Sequence, residues 1–159
     1  MIPDSAGATP YGLADSYLTA SNVAAASAGV HSKGPGQLLA YHAAELFLKT
    51  FMRSAGQTIA QLRAHGHDLL SMVECACGLG LELNQTIIDQ ARRMEQMNDY
   101  VRARYVVVDV RSDIPVESVL RFTATIRLAV IAALDLDDAG VPKGDHRLGA
   151  LPIDYPVQR

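Results

Sequence analysis

Cysteine is scarce: the 159 residues hold two, Cys75 and Cys77, one residue apart. A small secreted domain stapled by disulfides needs more of them, spread along the chain, so a reduced, cytoplasmic protein is the simpler expectation. An excess of positive charge is missing too. Lys and Arg number 14 against 17 Asp and Glu, and the pI is near 5.9. That excludes a protein that holds nucleic acid by bulk positive charge, while leaving room for a local basic patch. Long apolar runs are lacking. The longest uncharged stretch, 16–32, is interrupted by Ser16, Thr19, Ser21, Asn22 and Ser27, and the greasier run 128–134 is far too short to span a bilayer. The first Lys or Arg is Lys33, so the basic start of a secretory signal is not expected. There is no Gly-rich phosphate loop, no dinucleotide fingerprint and no nucleophile-elbow serine.

Apolar residues make up 49% of the chain and charged residues 19%. That composition suits one packed domain whose core needs neither disulfides nor metal. Periodicity then predicts helices over 10–28, 35–54, 58–64, 68–77, 84–105 and 115–136. Thr9-Pro10 and Asn84 read as N-terminal signals, and Gly29, Gly56, Gly78 and Gly80 as stops. Only 105–110 is strand-like, and one strand cannot build a sheet. The expected fold class is all-α: an up-and-down four-helix bundle with an additional short helix. A flexible arm is expected over 1–8, the bundle over 9–138 and an irregular tail over 139–159.

The helix over 35–54 is the informative one. Leu38, Leu39, Tyr41, Ala43, Leu46, Phe47, Leu48, Phe51 and Met52 cover most of its circumference, which predicts a central, buried helix. A narrow polar stripe, His42, Glu45, Lys49 and Arg53, runs along it at spacings of three and four. The stripe reads in three ways. It is a solvated Glu45–Lys49 pair, a buried network reaching His67, Asp68 or Arg104, or a polar groove in which Lys49 meets a phosphate or an acidic partner.

Three motifs follow in order: Tyr41-His42-Ala43-Ala44-Glu45-Leu46-Phe47-Leu48-Lys49, then His67-Asp68-Leu69-Leu70, then Arg104-Tyr105. Together they resemble the HEPN domain family (higher eukaryotes and prokaryotes nucleotide-binding), over about 17–134. The resemblance implies a helical bundle that pairs as a homodimer. It also implies work in RNA cleavage, in toxin–antitoxin and defence modules, or as the non-catalytic partner of a nucleotidyltransferase. The RNase branch of that family carries an arginine followed after four to six residues by a histidine. Here Arg63 and His67 have three residues between them, and Val106 stands where a proline often follows the Arg-Tyr pair.

The expected function is therefore that of a nucleotide-, RNA- or partner-binding component rather than an enzyme, with His42, Glu45, Lys49, Asp68, Arg104 and Tyr105 in a ligand site or polar network. One alternative is a metal-independent RNase toxin in which His67 moves protons and Arg63 stabilises the charged phosphate. Another is a purely structural dimeric interaction module. Asp68 also suits a helix N-cap. No cofactor and no metal are expected, since the Cys-x-Cys spacing on a helix sends the two sulfurs to different sides. Arg92, Arg93, Arg102, Arg104 and Arg111 form the densest basic region. Interleaved Glu95, Asp99, Asp109 and Asp113 make a solvated, salt-bridged face its first reading.

Overall fold

A helix apolar on nearly every side has to be surrounded, and α2 (Lys33–Ser54) is. Ala40, Tyr41, Ala43, Ala44, Phe47, Leu48 and Met52 on it are fully buried. The computed structural model describes residues 10–27, 33–104 and 114–143, with 33 and 102–104 described by backbone alone. Around α2 lie α1 (Pro10–Ala26), α3 (Ile59–Ala64), α4 (Leu69–Gly78), α6 (Asp99–Arg104) and α7 (Val116–Ala133). The remaining helix, α5 (Gln85–Gln96), packs on α4, α6 and α7. The fold is all-α, and the described residues contain no strand beyond an isolated bridge between Leu136 and Pro142. None of the described helices is long and apolar enough to cross a membrane. The arm over 1–8, the stop at Gly29 and the strand-like run 105–110 lie outside the described residues.

Local chemistry accounts for the helix ends. Thr58 opens α3 with a capping box: its side chain accepts from the Gln61 N–H, and the Gln61 side chain accepts from the Thr58 N–H. Asp68 and Asn84 cap α4 and α5 by accepting from Ser71 N–H and Ile87 N–H. Gly80, at φ +102, closes α4. Leu81 N–H reaches the Ala76 carbonyl and Gly80 N–H the Cys77 carbonyl, the two bonds of a left-handed stop that glycine adopts without strain.

α1 and α2 approach closely. Ser21 donates to the Gly36 carbonyl at 2.6 Å, and a Cβ on Gly36 would stand 3.0 Å from the Ala25 backbone nitrogen. On the other side of α2, Thr123 of α7 donates to the Ala40 and Val119 carbonyls, each at 3.0 Å.

One expectation needs correction. The helix expected over 84–105 is broken: α5 ends at Gln96, and Asn98 takes φ +51 before α6 starts at Asp99. Asparagine tolerates that left-handed conformation better than most residues, and the apolar periodicity continuing past it concealed the corner. After α7, residues 135–143 fold back on themselves in turns, with Lys143 N–H bonded to the Asp135 carbonyl, and Gly140 packs against the Tyr11 ring. Residues 144–159 lie outside the described residues.

Candidate functional site

The site grows from a row of side chains on α2. Gln37, Tyr41, Glu45 and Lys49 recur every four residues and so share one face. That face meets the α3–α4 turn at one end and α6 at the other. Glu45 is the hub, its side chain only 5% exposed. Its Oε1 accepts from Lys49 Nζ at 2.7 Å. Its Oε2 lies 2.9 Å from His67 Nδ1 and accepts from the Tyr100 hydroxyl at 2.8 Å. Lys49 also donates to the Gly66 carbonyl at 3.1 Å, tying the α3–α4 turn to α2. His42 Nδ1 lies 3.4 Å from the Tyr100 hydroxyl and 4.0 Å from Glu45 Oε2, with its ring edge-on to Tyr17.

Burial alone would raise the Glu45 pKa, but hydrogen bonds from Lys49, then His67 and Tyr100, outweigh it and hold the carboxyl below its ordinary range. An ionised carboxylate can only accept. His67 therefore donates its Nδ1–H to Glu45. The His67 Nε2 has no partner among the described residues, and the His67 side chain is 45% exposed.

A second buried carboxylate sits one turn further along the row. Asp99, 1% exposed, accepts on Oδ2 from the Tyr41 hydroxyl and from Gln37 Nε2. Burial, reinforced by the Asp99 bond, pushes the Tyr41 phenol well above its ordinary range. The Tyr41 and Tyr100 rings stack at 5.1 Å. Two carboxylates, one from α2 and one from α6, thus lock α6 against the middle of the molecule.

Beside this network lies an open cleft of about 230 Å³, between the α3–α4 turn and the α5–α6 corner. His65, His67, Asp68 and Leu69 line one side; Met94, Glu95, Asn98, Asp99, Tyr100 and Val101 line the other. Asp68 Oδ1 is engaged by Ser71 N–H. Glu95 carries no such bond; burial, then the nearby Asp68 charge, push its carboxyl above the usual range. His65 Nδ1 lies 2.7 Å from the Ser71 hydroxyl.

Of the residues singled out from sequence, the structure brings His42, Glu45, Lys49 and His67 together, with Asp68 adjacent across the cleft wall. Of the three readings of the stripe, the buried network describes this geometry. The solvated pair does not, because Glu45 is enclosed; Lys49, its side chain 22% exposed, is paired with Glu45 at 2.7 Å. Arg53 is elsewhere, donating to the Gln57 carbonyl at the exposed end of α2. Arg63 is exposed on α3, and no hydrogen bond or ion pair among the described residues joins it to His67. The Arg104 side chain and all of Tyr105 lie outside the described residues.

Among the described residues no group of three or more His, Cys, Asp or Glu side chains is placed to hold a metal ion, and Cys75 and Cys77 are free, half-buried thiols. Arg92 pairs with Asp89 at 2.9 Å on an exposed face of α5, and the side chains of Arg102, Arg104 and Arg111 lie outside the described residues.

Asp99, Gln37 and Tyr100 were not legible as site residues. The signal for Gln37 was its place four residues before Tyr41, in the row that continues to Glu45 and Lys49. Asp99 becomes a site residue only because the corner at Asn98 turns it inward. No family model, curated protein or solved structure matches the chain.

Proposed function

We propose that this protein is a HEPN-like helical domain, built as an up-and-down bundle, that acts through a binding surface in the cytoplasm. It acts as a nucleotide- or RNA-binding component, pairs as a homodimer, and has a nucleotidyltransferase as the protein partner to test first, as in a toxin–antitoxin or defence module. The observation that carries this reading is convergence. Glu45 and Lys49 of the first motif and His67 of the second, 22 positions from Glu45 in the chain, meet at one buried carboxylate beside an open cleft that Asp68 helps to line. Function class rests on family analogy, and the site supplies the place to test it.

The experiment is calorimetric titration of the full chain with ATP, GTP and short single-stranded RNA, alongside its mass in solution by light scattering. Saturable binding by a dimer supports the reading. A folded chain that binds none of these overturns the nucleotide arm, and a monomer overturns the pairing.

One observation favours a second reading, metal-independent RNA cleavage. A histidine whose Nδ1–H is held by a buried carboxylate, leaving Nε2 at a cleft, has the arrangement of a general acid–base. Cleavage in EDTA that is lost in His67→Ala and retained in Arg63→Ala would support it. A chain inert toward RNA under those conditions would end it.

A further inference from the structure

α3 is a helix with little to hold it. It has six residues, and none is buried. Ile59, Ala60, Gln61, Arg63 and Ala64 are exposed, Ile59 at 49%, and Leu62 alone packs half-buried against the core. A helix this short does not persist in water by itself, where even about 12–15 residues are marginal. Its capping box joins Thr58 to Gln61, so it ties the segment to itself and to no other element.

The bonds to the rest of the molecule sit at the two ends. At the first end Gln57 is fixed: its N–H donates to the Met52 carbonyl at 3.0 Å, and its carbonyl accepts from Arg53 at 2.8 Å. From Thr58 to Ala64 no hydrogen bond among the described residues reaches another element. At the second end His65 Nδ1 lies 2.7 Å from the Ser71 hydroxyl. Lys49 Nζ donates to the Gly66 carbonyl at 3.1 Å while it holds Glu45. Gly66 sits at φ +56, and a Cβ there would meet nothing within 4 Å. Polar contact rather than packing therefore retains Gly66.

We propose that Thr58–Gly66 is a flap that opens from α2 about the Gln57–Thr58 junction, with Lys49 as its latch. The latch bond is exposed, so water competes for both of its partners. Glu45 holds Lys49 in place for it, which makes the buried carboxylate the post that carries the latch. His65 travels with the flap while His67 stays on Glu45, so opening withdraws one wall residue from the cleft and widens its mouth. Once off α2, the six-residue helix cannot keep its own turns, and its amides meet water. This holds whatever the cleft binds.

The test is native-state hydrogen exchange of the full chain, read residue by residue by NMR. It compares wild type with Lys49→Met and with Asp89→Ala, an exposed variant on α5, which does not touch α3. The Leu62 and Gly66 amides, bonded to the Thr58 and Arg63 carbonyls, should exchange roughly a hundredfold or more faster than those of Phe47 and Leu48 in α2, after correction for intrinsic rates. Lys49→Met keeps the aliphatic stem and deletes the latch. It should raise flap exchange roughly tenfold beyond any change at Phe122 and Ile126 in α7, and Asp89→Ala should not. His65 should also react faster with diethyl pyrocarbonate in Lys49→Met. Leu62→Ala, which removes the half-buried contact of the flap, should raise the same amides and serves if Lys49→Met does not fold. Flap amides as protected as Phe47 and Leu48, or flap and α7 amides accelerated alike in either variant, would overturn the flap. Flap exchange untouched by Lys49→Met would overturn the latch, and unchanged His65 reactivity would overturn its withdrawal from the cleft.

Discussion

Replacing Glu45 separates a buried hub from a surface ion pair by magnitude. An exposed Glu–Lys pair at i,i+4 contributes about 0.3–0.5 kcal/mol. Glu45 instead is enclosed and receives hydrogen bonds from Lys49, His67 and Tyr100. Removing one partner of a fully buried pair costs about 3–5 kcal/mol. Here that figure must be reduced, because the Lys49 side chain is 22% exposed and the His67 side chain 45%, so both can recover water. The Tyr100 residue is 6% exposed and its hydroxyl would recover least. Glu45→Ala should therefore destabilise by about 2–4 kcal/mol, and Glu45→Gln, which keeps the shape and one acceptor, by about 1–2 kcal/mol. Urea unfolding at pH 7, followed by circular dichroism, reads both.

The pH dependence supplies an independent check. The folded-state pKa of Glu45 lies below its unfolded value, so its contribution is complete above the unfolded value of about 4.3 and fades as pH falls through the lowered folded value. The stability difference between wild type and Glu45→Gln should be flat from pH 7 to about 5 and shrink below about pH 4. Losses under about 0.5 kcal/mol in both variants, the range of ordinary surface substitutions, would refute the buried hub, as would a difference that grows on acidification.

Tyr41→Phe keeps the ring stack on Tyr100 but removes a donor from the buried Asp99 carboxylate. The expected loss is about 1.5–3 kcal/mol by urea unfolding, and a neutral result would mean that Asp99 does not depend on this bond. Gly140→Ala should cost about 2–4 kcal/mol, because Gly140 sits at φ +78 and its Cβ would stand 2.0 Å from the Tyr11 ring; limited proteolysis should then open the segment 135–143 first. Thr123→Val should lose about 1 kcal/mol in thermal unfolding with no change in secondary structure, since a nearly isosteric side chain forfeits only the hydroxyl bonds to Ala40 and Val119.

How far the sequence could be read follows from the range of the interactions involved. Helix starts at Thr58, Asp68 and Asn84, the stops at Gly56 and Gly80, and the enclosure of α2 are set by side chains within a few residues of the backbone they satisfy, or by the angular spread of apolar residues on one helix. Those features are written locally and were legible. So was the pairing of Glu45 with Lys49, four residues apart on one face. The corner at Asn98 was not, because a single left-handed residue interrupts a helix without interrupting its periodicity.

The site depended on longer range. Glu45 could be placed on a polar stripe, but its burial comes from Tyr100, 55 positions away, and from a turn that brings His67 over it. The same stripe on a solvated helix would leave a weak ion pair and a lysine free for phosphate. The sequence alone determined which residues form helices and which helix is wrapped by the others, since backbone satisfaction and apolar periodicity act over one or two turns. Tertiary structure decided that Glu45 and Asp99 would be buried, that His67 would reach Glu45 while lining a cleft, and that Arg63 would be exposed with no hydrogen bond to His67 among the described residues. Each of those depends on where distant segments dock, and on whether their donors arrive to offset the loss of water around a charge.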